Sequence, residues 1–185
     1  LPDSLLTNSS ACYQSTHVTI EVGSRKKIYT VHKDLHVFYS DYFRGAFNGS
    51  FKEATEGKIS LHDECEDVFD VFNQFLYSRR IADNDEEKIF WDKLVRLWLF
   101  GDKYIIPSFQ NAVMDAIVKK NRIAKFTPTT QISSIWEKTL PSSPLRNFIL
   151  DRAVYKLSIH KIRRFEERWT REALFDLVEA YANKE

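Results

Sequence analysis

The stretch Val31-His32-Lys33-Asp34-Leu35-His36-Val37-Phe38-Tyr39-Ser40-Asp41-Tyr42-Phe43-Arg44-Gly45-Ala46-Phe47-Asn48-Gly49-Ser50-Phe51-Lys52-Glu53 decides the fold. It begins as the end of a strand and turns helical at Asp34, whose carboxylate suits a helix N-terminus. Leu35, Phe38, Tyr39, Tyr42, Phe43 and Phe47 then fall three and four apart, the spacing of one helical face. Ser40-Asp41 predicts a break or kink. Asn48-Gly49 is a turn dipeptide, and Phe51-Lys52-Glu53 follows it. A run this aromatic fills a core or meets a partner, and both roles are expected here.

Upstream, Val18-Thr19-Ile20-Glu21-Val22 alternates, which predicts a strand with Val18, Ile20 and Val22 on its buried face. Gly23 to Lys26 reads as a turn and Lys27 to Val31 as the return strand of a hairpin. Leu1 to Thr16 is rich in Ser, Thr and Asn without a period, a flexible lead-in. The chain opens on Leu1, which leaves room for a longer parent protein.

Downstream, Lys58-Ile59-Ser60-Leu61 predicts a third strand. In the cluster His62-Asp63-Glu64-Cys65-Glu66-Asp67, Asp63 and Glu66 fit a variant capping box, and the other acids favour a helix N-terminus. Val68, Phe69, Val71, Phe72, Phe75 and Leu76 keep the helical period that follows. Ala82 to Lys88 predicts an acidic, exposed loop. Trp91 to Tyr104 is apolar nearly all round, as a central helix is. Pro107 starts the next helix, with Phe109, Ala112, Val113, Ala116 and Ile117 inward.

After Asn121 the composition changes. Thr127-Pro128-Thr129-Thr130 is a linker-like turn. Helices are predicted around Ile132 to Trp136, from Ser143-Pro144 to about Leu157, and from Thr170 through Tyr181. The charged stretch Lys161 to Arg171 fits neither neighbour clearly.

Bulk composition limits the function classes. With 43% hydrophobic and 29% charged residues, the sequence is that of a globular domain. At 185 residues it buries enough surface to fold without a disulfide or metal. The 27 basic and 26 acidic residues leave a net charge of +1, too little to draw the chain to nucleic acid or an anionic membrane. Cys12 and Cys65 read as free thiols of a reducing compartment, so an intracellular protein of cytoplasm or nucleus is expected. His32 and His36 are four apart, yet no third metal ligand lies near them. No phosphate loop or nucleophile elbow occurs, and neither an enzyme nor a cofactor is expected.

The order strand, strand, helix, helix, strand, helix, helix, helix resembles a BTB/POZ domain over about Thr16 to Asn121. Specific residues carry the resemblance: Val31-His32-Lys33-Asp34-Leu35, Ser40-x-Tyr42-Phe43 with Phe47, and Ile59-x-Leu61. So do Phe69-x-x-Phe72-x-x-Phe75-Leu76-Tyr77 and Asp102-Lys103-Tyr104-x-Ile106-Pro107. The Lys33-Asp34-Leu35 and Asp102-Lys103-Tyr104 versions look like those of fungal members. His17 stands where the family usually has an acid, and Gly101 where Ala is expected.

The resemblance implies an α+β fold, a short mixed sheet with a β-hairpin covered by α-helices and followed by additional helices. The expected organisation is a lead-in over 1–16, a BTB/POZ domain over 17–121 and a helical extension over 122–185. The implied function is protein–protein interaction, as an adaptor linking a cullin-type ubiquitin ligase scaffold to a partner not identifiable from sequence. The alternative is a self-associating scaffold, for example in transcription. The cullin N-terminal domain would meet Phe51, Glu53, Tyr42 and Phe47. A homodimer would use Val18, Ile20, Leu35, His36 and Tyr39.

Overall fold

The computed structural model describes residues 16–81, 89–124 and 129–183. The expected lead-in, apart from Thr16, the acidic loop Ala82 to Lys88, and Thr127-Pro128 lie outside the described residues. The chain divides into two compact units. The first runs to Arg79 and takes up Tyr104–Pro107 again, and the second holds the remainder.

The first unit is built on a mixed three-stranded sheet. Strands β1 (His17–Val22) and β2 (Lys27–His32) form the predicted antiparallel hairpin, with Ile20 opposite Tyr29. Strand β3 (Lys58–Leu61) lies parallel to the other side of β1, giving the order β2-β1-β3. Val18, Ile20, Val22, Ile59 and Leu61 are buried, as strand alternation requires.

Helices α1 (Lys33–Tyr39) and α2 (Asp41–Asn48) are separated at Ser40, where the backbone is extended. The Ser40 hydroxyl explains the break. It accepts the Phe43 N–H at 3.1 Å, capping α2, and donates to the Tyr104 carbonyl at 2.6 Å. The inner face differs from expectation. His36, Ser40, Phe43 and Phe47 are buried, whereas Phe38 is 71% exposed. The extended residue resets the helical phase, so a single apolar stripe drawn across both helices selects the wrong side of α1. A short helix α3 (Lys52–Glu56), not expected from the sequence, is closed by Gly57 in the left-handed conformation.

Helix α4 (Glu66–Ser78) buries Val68, Phe69, Phe72, Phe75 and Leu76. The capping box expected from Asp63 and Glu66 is not formed. Cys65 holds the cap position without a side-chain hydrogen bond, and Glu66 pairs with Arg25 at 3.0 Å. The returning segment completes this unit. Tyr104 stacks on Phe43 at 5.8 Å and donates its hydroxyl to Glu64 at 2.9 Å. Ile105 follows at φ 51°, left-handed and unfavourable for a β-branched residue, with its carbonyl accepting the Asp41 N–H.

In the second unit, α5 (Trp91–Lys103) buries Leu94, Val95, Leu97, Trp98 and Phe100, the broad inner surface its composition predicts. Helix α6 (Pro107–Ala124) buries Phe109, Val113, Ala116 and Ile117. Gly101 is the reason these helices approach closely, because a Cβ there would lie 2.8 Å from Gln110 Cγ. A 3-10 turn at Thr129–Gln131 leads to α7 (Ile132–Lys138), α8 (Pro144–Lys156), α9 (Ile159–Arg164) and α10 (Arg171–Ala182). The ambiguous charged stretch forms the second half of α9 and a 3-10 turn at Glu166–Arg168. Ser143 and Thr170 cap α8 and α10 through their hydroxyls.

Arg146 ties three of these helices together from a buried position. Its guanidinium donates to the Trp136 carbonyl, to both oxygens of Thr139, and to Glu172 on α10. At the far end of α8, the Tyr181 hydroxyl donates to the Leu157 carbonyl at 3.1 Å. Start meets start and end meets end, so α8 and α10 run parallel.

Candidate functional site

The corner made by α2, α3 and β3 carries the residues singled out for partner binding. Gly49 shapes it. A Cβ there would fall 2.4 Å from the Gly45 carbonyl and 3.2 Å from the Phe51 ring, so only glycine lets the chain turn this tightly. The turn delivers Phe51 to the cap position of α3 with 64% of its surface in water. That is costly for a side chain with this much apolar area.

A groove of about 300 Å³ lies beside it, lined by Tyr42, Lys52, Glu53, Glu56, Lys58 and Ser60. Its rim is charged. Lys52 pairs with Glu56 at 3.3 Å, and Lys58 with Glu21 at 2.6 Å. Hydrogen bonds from Lys58 and then Ser60 hold the Glu21 carboxyl below its usual range. Tyr42, 39% exposed, packs edge-on against Phe43 and Tyr104 at 5.4 and 4.9 Å. Phe47 is the exception among the four expected contact residues. It is buried and stacked on Phe43 at 6.2 Å, so it supports α2 from within and offers no surface.

Sequence reasoning missed the groove's other walls, Lys52, Glu56 and Lys58. The only signal was the Lys52/Glu56 pair at i,i+4, which is common on any helix. Among the described residues no group of His, Cys, Asp and Glu is arranged to hold a metal, and no helix is long and apolar enough to cross a membrane.

A family model described as BTB/POZ domain matches residues 6–121. The chain belongs to the BTB/POZ family. The match confirms the α+β fold, and the additional helices α7 to α10 lie beyond its end. A BTB/POZ domain is a protein–protein interaction module. No curated protein matches the chain significantly.

Three of the five residues expected at a BTB/POZ dimer interface are buried, because their side chains fill the domain's own interior. Val18 and Ile20 point into the core as alternate β1 residues. His36 lies among Phe43, Phe69 and Phe72, with ring centroids at 5.4, 6.3 and 5.6 Å. Burial lowers its pKa to about 4, and its Nδ1 is 3.2 Å from the His32 carbonyl. Leu35 and Tyr39 are half-buried, and the Arg79 guanidinium lies 3.8 Å above the Tyr39 ring. The apolar residue of α1 most open to a partner is Phe38, which packs edge-on against Tyr39 at 4.7 Å.

Proposed function

We propose that this BTB/POZ protein is an adaptor that joins a cullin-type ubiquitin ligase scaffold to a second protein. The observation that carries this reading is Phe51, an exposed aromatic anchor with Glu53 beside it in a charged groove. Sealing such a ring into a partner's apolar pocket is worth about 2 kcal/mol, the scale of an interface hot spot. Glu53 supplies a rim charge, Tyr42 extends the contact, and Phe47 keeps α2 in place. The role requires no catalysis or cofactor and belongs to the cytoplasm or nucleus.

Calorimetric titration of the host's cullin N-terminal domain into the protein tests it. Wild type should bind, and Phe51→Ala with Glu53→Lys should weaken binding at least about tenfold. Absence of binding by wild type removes the adaptor reading.

The second reading, a self-associating scaffold, is favoured by Phe38. Its exposed ring beside Leu35 and Tyr39 gives α1 an apolar surface suited to a two-fold contact. Light scattering across concentration decides it. A dimer dispersed by Phe38→Asp supports self-association, and a monomer throughout excludes it.

A further inference from the structure

We propose that α9 and the end of α8 form a docking site for an acidic peptide segment of a partner protein, one that carries apolar residues among its carboxylates. The sequence Lys156-Leu157-Ser158-Ile159-His160-Lys161-Ile162-Arg163-Arg164 contains two lysines and two arginines and no acid, within a chain whose net charge is only +1. In α9 the buried residue is Ile162. At 100° per residue, the remaining arc carries His160, Lys161, Arg163 and Arg164, all exposed.

These cations are not spent on folding. Among the described residues, the side chains of Lys156, Lys161 and Arg163 make no ion pair and no hydrogen bond, and Arg164 only approaches the Phe165 ring at 5.6 Å. Cations elsewhere are engaged: Arg25 with Glu66, Lys58 with Glu21 and Arg96 with Asp92. A helix C-terminus favours positive charge, which accounts for tolerance of Lys156 in the last turn of α8 and of Lys161, Arg163 and Arg164 in the last turn of α9. It does not account for Tyr155 and Ile159, which are 64% and 59% exposed beside the cations.

Charge complementarity selects the occupant. Cations mixed with exposed apolar side chains match carboxylates mixed with apolar side chains. Such electrostatics speed encounter and fix register, while the apolar contacts supply affinity. A nucleic-acid strand is disfavoured, because its phosphates repeat along the whole strand and would run past the patch onto the exposed Glu166 and Glu167, whereas a short acidic segment ends within the patch.

Fluorescence anisotropy on the full chain provides the test. The probe is a labelled peptide alternating glutamate and leucine, with its lysine–leucine counterpart, a single-stranded oligonucleotide and anionic phospholipid vesicles as comparators. The acidic peptide should bind at low ionic strength and weaken as salt rises, and the basic peptide should not bind. Lys161→Glu with Arg163→Glu should weaken binding by about tenfold or more, and Ile159→Ser by about threefold. Lys161→Gln with Arg163→Gln, which adds no new charge, should act in the same direction. The site is overturned by no binding of the acidic peptide, by affinity indifferent to either double substitution, or by tighter binding of the oligonucleotide or vesicles through the same cations.

Discussion

At His36 an imidazole occupies a position where a phenyl ring would serve. Its Nδ1–H donates to the His32 carbonyl, which leaves Nε2 as a lone pair facing apolar surroundings, with no partner among the described residues. Protonation would place a charge there, and burial resists it. The folded pKa, about 4, is below the ordinary 6.5, so the unfolded chain takes up the proton first. Stability from this residue is therefore complete above pH 6.5 and is lost as pH falls towards 4, by at most roughly 3 kcal/mol. Urea midpoints measured from pH 7.5 down should fall more steeply in wild type than in His36→Leu. Equal slopes would show that His36 does not carry the effect. The sequence concealed this residue because histidine is counted as polar, so the His36, Ser40, Phe43, Phe47 face read as broken. Phe51 was legible through its place in the family pattern. Its exposure depends on the Gly49 turn, which no periodicity encodes.

Among the elements, those whose apolar spacing spans several turns or alternations were legible: the hairpin, α4 and α6 bury the residues their periods predict except Val71 and Ala112, which are half-buried. Helix α3 was not, because five residues are too few to show a period. Two elements depend on one polar side chain each. Ser40 supplies both the cap of α2 and a buried bond to the Tyr104 carbonyl, so Ser40→Ala should cost about 2 kcal/mol in chemical denaturation. Ser40→Thr should retain most of it. Arg146 holds α7, α8 and α10 through buried carbonyls and a carboxylate. Its removal by Arg146→Ala strands those acceptors and should cost about 3 kcal/mol or more. Arg146→Lys should not rescue it, since an ammonium cannot span the same fork of acceptors. Full recovery by lysine would show that charge alone suffices.

For the molecule as a whole, composition and family pattern set the fold class, but the allocation of chain between the two units was not legible. Nothing in Asp102-Lys103-Tyr104-Ile105-Ile106-Pro107 announces that part of it belongs with residues far upstream. That affiliation rests on tertiary contacts, Tyr104 with Phe43 and with Glu64. A fragment ending at Arg79 lacks these contacts and should show no cooperative melting by circular dichroism. A sharp transition in that fragment would mean the returning segment is dispensable.

The return of Tyr104–Pro107 also sets an order of events during synthesis. Residues up to Arg79 leave the ribosome while the segment that closes their unit is still to be made. At ordinary translation rates the interval is about 1 to 6 seconds, long compared with the collapse of a small chain. Throughout it Phe43 lacks its stacking partner and the Ser40 hydroxyl lacks its acceptor. The first half of this protein is therefore exposed to chaperones, by virtue of its chain path alone, before it can be finished.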